Sequence, residues 1–312
     1  MIDLAKAQKS AIVLLCSTVS QAREIRMRHV LPPGALCLVV PRGYRHPLLD
    51  FEQWDLEKHT DIAVKRNIVL LLARLCGWGT VFYVDDDIRD LEPVLVARAA
   101  GMVEEHPVVG FQVPEFPDNS IVCHANRASG GDQSTFIGGN ALLVDTRRVE
   151  TYFPAIYNED WLFMYDAVAA GLVAVAGRVR QLPYDPFSRS GAREEFGELI
   201  AEGLVRALHF GWDVSTRDFW EDAIRKRGLF IEEIVARLHT SARGKDGVPD
   251  RDRMLLCLAE AKKRLLEITP EHCLSFHRTW RENKDIWRER LLTLPTSLTP
   301  QKAVRYLGLA SL

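Results

Sequence analysis

The chain has 312 residues, of which 47% are hydrophobic and 26% are charged, and its formal net charge at pH 7 is −2. This composition is that of a globular protein and excludes the collagenous and intrinsically disordered classes. The near-neutral charge gives no support for a polyelectrolyte partner, so we expect no binding to nucleic acid.

Short apolar runs alternate with longer amphipathic stretches up to about residue 180. In chain order the pattern predicts strand 11–16, helix 21–29, strand 35–40, helix 61–76, strand 80–84, helix 91–105, strand 108–113, strand 136–144, helix 161–170 and strand 172–176. Continuous apolar strands that alternate with helices are typical of a parallel sheet covered on both faces. The sequence therefore predicts an α/β domain.

The segment 114–135 lacks any periodicity, and we interpret it as a functional loop that closes over bound substrates. From about residue 193 the strand patterns disappear. The remaining stretches predict helices at 193–208, 216–227, 229–242, 251–267, 270–292 and 300–309. We therefore expect an α/β domain over 1–213 and a helical region over 214–312. Trp280 and Trp287 lie on one helical face and predict packing, within the chain or across a homodimer.

The six cysteines are scattered and form no pair with metal-ligand spacing. Cys16, Cys37 and Cys76 lie in apolar runs, which is typical of reduced core cysteines and favours the cytoplasm. The first 16 residues lack the features of a signal peptide, and the apolar run 11–16 is too short to span a membrane. We therefore expect a soluble cytoplasmic protein without a membrane span.

Three consecutive aspartates, Asp85, Asp86 and Asp87, directly follow the predicted strand 80–84. In open α/β sheets, ligands gather outside the carboxyl ends of the strands. Neighbouring carboxylates there repel one another unless protons or a cation neutralise them. Because side chains alternate in an extended stretch, Asp85 and Asp87 can face one ion. Mg²⁺ and Mn²⁺ prefer oxygen ligands, so the sequence predicts a divalent metal site.

A purely structural interpretation of the triplet is an acidic turn that caps a helix beginning at Ile88. Aspartate is a good N-cap, and acidic residues favour a helix N-terminus. A cap explains one aspartate well and three poorly, so we favour metal binding.

The apolar strand followed by Asp85-x-Asp87 resembles the DxD motif of glycosyltransferases with the GT-A fold. Lys65-Arg66-Asn67 is similar to a basic element that precedes this motif in many of them. Gly138-Gly139-Asn140 and Asn158-Glu159-Asp160-Trp161 resemble their later, acceptor-side elements. The four elements occur in the expected order over about residues 10–212. The resemblance implies a GT-A (Rossmann-like), mostly parallel sheet flanked by helices, with an all-helical C-terminal portion.

The resemblance also implies the donor side of a site. Asp85 and Asp87 would hold Mn²⁺ or Mg²⁺ and the donor diphosphate, with Asp86 near the donor ribose or sugar. The further donor-binding candidates, which lie at strand ends or on the preceding helix, are Ser17, Thr18, Arg42, Arg66, Gly139 and Asn140. A helix N-cap explains Ser17 and Thr18 equally well, and a surface helix charge explains Arg66 equally well.

In inverting enzymes of this family, the Asp of such a Glu-Asp pair deprotonates the acceptor hydroxyl. The resemblance therefore implies Asp160 as the general base, with Glu159 beside it. A late histidine serves many members as a third metal ligand, which makes His209 a candidate. A histidine placed at a helix C-terminus by the helix dipole is the alternative explanation of His209.

Further residues are expected near the acceptor. Trp161 and Trp212 are the aromatic candidates for the neighbourhood of the site. Polar side chains of the segment 114–135 are candidate acceptor contacts, namely His124, Arg127, Asp132 and Gln133.

The expected function is metal-dependent transfer of a hexosyl group from a nucleotide-diphosphate sugar to a hydroxyl of a soluble small-molecule acceptor. A nucleotidyltransferase that makes a nucleotide-sugar is one alternative, although the chain lacks a Gly-rich basic loop after its first strand. A phosphatase of the haloacid dehalogenase type is another, although Arg89 stands where that pattern requires Thr or Val. A sugar-binding module without catalysis is the third.

Overall fold

The computed structural model describes residues 2–51, 61–114, 120–132, 137–240 and 250–311. The described part is mixed α/β and about 55% helical. Its α-helices are α1 (Ile2–Ala7), α2 (Val19–Arg28), α3 (Asp61–Cys76), α4 (Pro93–Met102), α5 (Ile121–Ala128), α6 (Glu159–Ala169), α7 (Glu195–Phe210), α8 (Arg217–Thr240), α9 (Arg251–Leu265), α10 (Pro270–Leu292) and α11 (Pro300–Tyr306). Its strands are β1 (Val13–Cys16), β2 (Leu36–Val39), β3 (Thr80–Val84), β4 (Ile88–Arg89), β5 (Val108–Gln112), β6 (Ala141–Asp145), β7 (Val173–Arg178), β8 (Arg180–Gln181) and β9 (Ala310–Ser311).

The strands of the described part form one central sheet and two smaller ones. The central sheet has the order β3-β6-β5-β7, with β6 antiparallel to both β3 and β5, and with β5 parallel to β7. A second sheet has the order β1-β2-β9, in which β1 and β2 are parallel, and β4 pairs antiparallel with β8. The sheets are therefore mixed, and the expected mostly parallel arrangement is not confirmed.

Strands β5 and β6 are buried on both faces, which explains the apolar character of these two strands. Successive residues of β6 alternate between two cores: Leu142 and Val144 belong to the larger one, and Ala141 and Leu143 to the smaller one. Helices α3 and α6 supply side chains to the larger core, and Ala99 of α4 and its C-cap residue Val103 belong to the smaller one.

Several predicted elements differ from those observed. The segment 114–135 contains the helix α5, so the interpretation as a structureless loop is wrong for its described part; residues 115–119 and 133–136 lie outside the described ranges. Ile88 begins strand β4 rather than a helix, which removes the capping explanation of the aspartates. The predicted helices 216–227 and 229–242 are one helix, α8.

The C-terminal helices return to the N-terminal part of the chain. Strand β9 pairs with β2, and the Tyr44 hydroxyl donates to the carbonyl oxygen of Leu307 at 2.5 Å. Trp280 and Trp287 are buried within the chain's own larger core, together with residues of β2 and β3. The packing of the two tryptophans inside the chain is thus confirmed, whereas the boundary at residues 213/214 stays a prediction. No helix in the described ranges has both the length and the apolar character needed to cross a bilayer.

Candidate functional site

The topology of the central sheet collects the predicted site elements at one edge. Strands β3 and β5 each run antiparallel to β6, so their carboxyl ends meet the amino end of β6. Asp85–Asp87 follow β3, and Gly138–Asn140 precede β6. The backbone N–H of Asp85 donates to the carbonyl oxygen of Asn140 at 2.9 Å, which fixes the two segments side by side.

The guanidinium of Arg66 links three elements at this edge. Arg66 lies in α3 and is buried. Its Nη1 donates to Glu159 Oε1 at 2.8 Å, and its Nη2 donates to Asp85 Oδ1 at 3.4 Å. The next residue, Asn67, exchanges two 2.8 Å hydrogen bonds with the backbone N–H and C=O of Phe153. The arginine is therefore part of a buried ion cluster and not a surface charge.

The two glycines before β6 leave room for this cluster. A Cβ atom at Gly139 would overlap the guanidinium of Arg66, so this position accepts no side chain without a movement of the arginine. A Cβ atom at Gly138 would lie 3.3 Å from Asp160 Oδ2 and 3.6 Å from Asn140 Oδ1. A side chain at Gly138 would therefore crowd both oxygen atoms, and the glycine keeps this contact free of carbon.

Asp160 is oriented by backbone amides. Its Oδ2 accepts a hydrogen bond from the N–H of Gly139, and its Oδ1 accepts one from the N–H of Trp161 at 2.9 Å. Glu159 and Asp160 form the first turn of α6, whose N-cap residue is Asn158 in the left-handed conformation, with φ 60°. The acidic pair lies inside the helix and not before it, and the side chain of Asn158 makes no capping bond.

The electrostatics of the site are dominated by its carboxylates. Burial, together with the charges of Asp160 and Asp85, raises the pKa of Glu159 to about 7 against the opposing effect of Arg66. The side chain of Asp85 is 46% exposed, and desolvation of its buried part, followed by repulsion from Asp87 and Asp160, raises its pKa above its ordinary value. The pKa of Arg66 is raised because the surrounding carboxylates outweigh its burial. Three carboxyl groups, those of Asp85, Glu159 and Asp160, thus share one buried cation, and Asp87 adds its charge beside Asp85. A further cation would relieve their repulsion.

Two oxygen atoms beside this cluster are suited to a metal ion. Asp87 Oδ1 and Asn140 Oδ1 are buried and have no hydrogen-bond donor. A buried acceptor without a donor is uncommon in folded proteins and is explained by a water or an ion. Carboxylate and amide oxygens are the ligands that Mg²⁺ and Mn²⁺ prefer, so the residues present fit such an ion. Asp86 is exposed, and its carbonyl oxygen accepts a hydrogen bond from Arg89 Nη1 at 2.8 Å.

The remaining donor-side candidates lie at the ends of β1 and β2. Ser17 Oγ donates to Asp61 Oδ2 at 2.5 Å and accepts from Lys65 Nζ at 2.7 Å. Thr18 is the N-cap of α2 and forms a capping box with Gln21, so the structural role considered for it is present. Arg42 is exposed after β2 and makes no hydrogen bond or ion pair with a described residue.

His209, the predicted third metal ligand, lies at the C-terminal end of α7. It is exposed in the last turn of α7 and packs edge-on against Phe210, with ring centroids 4.8 Å apart. The neighbouring Trp212 is 43% exposed and stacks on Phe210. In the described part of the chain, His209 makes no contact with Asp85 or Asp87, and its role as a metal ligand stays a prediction.

Within the described ranges, one group of three side chains has metal-ligand atoms within 4.8 Å of one another: Cys123, Glu198 and Glu202. The buried guanidinium of Arg227 lies 3.6 Å from Glu198 and 3.2 Å from Glu202. Arg227 also forms a 2.8 Å ion pair with Glu195. A cation is therefore already present among these acids, and we interpret the group as a structural ion-pair network.

The acceptor candidates of the segment 114–135 lie on or beside α5. His124 Nε2 is 2.9 Å from the Tyr184 hydroxyl, and burial followed by the charge of Arg127 lowers the pKa of His124 to about 4. Asp132 accepts a hydrogen bond from Asn126 through its carbonyl oxygen, and Gln133 lies outside the described residues. The histidine is therefore neutral at physiological pH.

Two contributors to the site carry no signal in the sequence. Gln181 of β8 donates from Nε2 to Asp87 Oδ2 at 2.7 Å. Tyr184 meets His124 across 60 residues of chain. The Gln181 contact depends on how β8 pairs with β4, which the local pattern does not specify.

Comparisons with known proteins give no relative for this chain. Family models, curated proteins and solved structures were each searched, and none matches. The site geometry is therefore the basis for any assignment of function.

Proposed function

We propose that the protein is a metal-dependent glycosyltransferase with a GT-A fold, which moves a hexosyl group from a nucleotide-diphosphate sugar to a hydroxyl of a small-molecule acceptor. The observation that carries the proposal is the gathering of Asp85, Glu159 and Asp160 around Arg66 at one sheet edge, with Asp87 beside Asp85. The location at the carboxyl ends of β3 and β5 supports it, because ligands of α/β sheets bind there.

Asp85 and Asp87 are the residues that would hold the divalent cation. With two carboxylates, such an ion keeps coordination positions for water and for substrate phosphate oxygens. Bound there, the cation supplies charge neutralisation for the departing nucleoside diphosphate. The free Oδ1 atom of Asp87 and the raised pKa of Asp85 support this assignment.

Asp160 is proposed as the general base towards the acceptor hydroxyl, which implies inversion at the sugar carbon. The backbone N–H groups of Gly139 and Trp161 hold its carboxylate in one orientation. A Cβ atom at Gly138 would lie 3.3 Å from Oδ2, so the glycine keeps a side chain away from the proposed base. Glu159 holds Arg66, and through it Asp85, so we assign it a positioning role.

The donor side is proposed to lie between the ends of β1, β2 and β3. Ser17, Thr18 and Arg42 would line the nucleotide portion, and Arg66, Asp86, Gly139 and Asn140 would line the diphosphate and sugar. The location proposed for the reaction is the cytoplasm, since all six cysteines are free thiols.

The proposal is tested by incubating the protein with a panel of nucleotide-sugars and small hydroxyl acceptors, with and without Mn²⁺ or Mg²⁺. We expect release of nucleoside diphosphate from at least one donor, only in the presence of metal. Asp87→Asn should abolish the release. Asp90→Asn is the matched control, because Asp90 forms an exposed ion pair with Arg180 and asparagine tolerates its positive φ of 62°.

Asp160→Asn separates binding from transfer. It should retain donor binding and lower the transfer rate by about 10²- to 10⁴-fold, which is the usual contribution of a general base. Unchanged turnover would disprove the assignment of the base. Phosphate release from phosphomonoesters, without binding of any nucleotide, would reject the glycosyltransferase in favour of a phosphatase.

A further inference from the structure

Asp87 is held by the strand β8 through both its side chain and its backbone. Gln181 of β8 pairs with Ile88, the residue after Asp87. Its Nε2 donates to Asp87 Oδ2 at 2.7 Å, and the N–H of Leu182 donates to the carbonyl oxygen of Asp87 at 2.9 Å. Gln181 is only 8% exposed. Water can therefore replace Asp87 as the hydrogen-bond partner of its carboxamide only if β8 moves.

The chemistry of the two groups fixes the direction of the contact. An ionised carboxylate only accepts hydrogen bonds, so the carboxamide must present its NH₂ group to Asp87. The amide oxygen Oε1 of Gln181 then points elsewhere, and it is buried without a donor. Asp87 Oδ1 is likewise buried without a donor. One oxygen of the aspartate is thus occupied, and the other one is left for a different partner.

We propose that Gln181 is a positioning residue for cation binding: it fixes Asp87 so that Oδ1 alone is presented to a divalent ion, and it offers Oε1 to a water on that ion. This inference rests on the proposed function, because it assumes the cation at Asp85 and Asp87. Presentation of a single carboxylate oxygen favours the small octahedral ions Mg²⁺ and Mn²⁺. It disfavours Ca²⁺, which takes more oxygen ligands and often binds a carboxylate through both oxygens.

The variant Gln181→Met tests this, because methionine has a similar length and no hydrogen-bond donor. We expect Mn²⁺ affinity, measured by electron paramagnetic resonance of the protein without substrate, to fall about 10- to 100-fold, as for other residues that orient a metal ligand. The preference for Mn²⁺ over Ca²⁺ should fall with it. A loss of general stability would not produce this change in selectivity between ions.

Gln112→Met is the matched control. Gln112 ends β5 at the same sheet edge, and its side chain makes no hydrogen bond with a described residue, so Mn²⁺ affinity should be unchanged. Equal Mn²⁺ affinity in the wild type and in a folded Gln181→Met variant would overturn the role of Gln181 and leave the proposed function standing. Absence of Mn²⁺ binding by the wild type would overturn both.

A measurement on the wild type covers the case in which Gln181→Met does not fold. In a ¹⁵N-labelled protein, the side-chain NH₂ resonance of Gln181 should be protected from exchange with water and should shift when Mg²⁺ is added. A resonance that exchanges freely and does not respond to Mg²⁺ would overturn the proposal.

Discussion

At the scale of single residues, the glycine at position 139 decides whether Arg66 can occupy its place. Gly139→Ala should displace the guanidinium and break its ion pairs with Glu159 and Asp85. Because a buried ion pair is disrupted and the site is overpacked, we expect the free energy of unfolding to fall by about 3 kcal/mol. Chemical denaturation measures this change.

Gly101→Ala is the control for this substitution. Gly101 lies in α4, and a Cβ atom there would meet open space. Alanine is the better helix former, so the free energy of unfolding should rise by up to about 1 kcal/mol. Equal effects of the two substitutions would contradict the described position of Arg66.

Glu159 should give the protein a specific pH dependence. Its pKa in the folded state is about 7, above its ordinary value of 4.5, so between these values the folded protein retains a proton that the unfolded chain releases. The resulting stabilisation is complete below the unfolded pKa and is lost as the pH rises through 7. Glu159→Gln cannot lose this proton. We therefore compare the free energy of unfolding of Glu159→Gln with that of the wild type. The difference, variant minus wild type, should increase by up to about 3 kcal/mol from low to high pH.

Denaturation at about pH 5 and about pH 8 measures this difference. Asp90→Asn, which changes an exposed carboxyl, is the comparison and should show little pH dependence relative to the wild type. A Glu159→Gln variant whose stability runs parallel to that of the wild type across this range would contradict the raised pKa.

The charged residues of the candidate site could be predicted from the sequence, but the contacts that orient them could not. Asp85, Arg66, Glu159 and Asp160 belong to the motifs that were expected to converge, and they do contact one another or interact through their charges. The Gln181 contact follows from the pairing of two-residue strands, and such short strands have no periodicity to detect.

At the scale of elements, Thr18 has an observed role as the N-cap of α2 and a proposed role in binding the nucleotide, and substitutions can distinguish the two. Thr18→Val preserves the shape of the side chain and removes the oxygen that accepts from the N–H of Gln21. We expect a loss of about 1 kcal/mol in the free energy of unfolding, as for other N-caps. Thr18→Ser should restore most of it.

Donor binding measured on the same two variants completes this test. If Thr18 also contacts the nucleotide, Thr18→Val should weaken donor binding beyond its effect on stability. Unchanged stability of the Thr18→Val variant would contradict the capping box.

Strands and helices could be predicted because their apolar patterns are strong, and β3 was located at its observed bounds. Strand direction could not be predicted. The strands β5 and β6 are buried on both faces, and an apolar run of this kind is the same whether its neighbour is parallel or antiparallel. Helix α5 was missed because prolines and glycines flank an eight-residue helix.

At the scale of the whole molecule, the larger core joins the two predicted regions. It contains residues of β2 and β3 together with Trp280, Trp287 and Leu309. The fragment 1–213 lacks these three side chains and the strand β9. We expect it to show no cooperative thermal unfolding, whereas the full chain should unfold in one transition. A cooperative transition of the fragment, with native-like circular dichroism, would support a boundary at residues 213/214.

The central claim is that the carboxylates at the edge of the central sheet bind a nucleoside diphosphate through a divalent cation. The most direct measurement is calorimetric titration of nucleoside diphosphates with different bases, with and without Mn²⁺, into the wild type and into Asp85→Asn and Asp87→Asn. We predict binding of at least one nucleoside diphosphate by the wild type, dependent on Mn²⁺ and lost in both variants. Binding that is equally strong without metal or in the variants, or no binding of any nucleoside diphosphate, would contradict the claim.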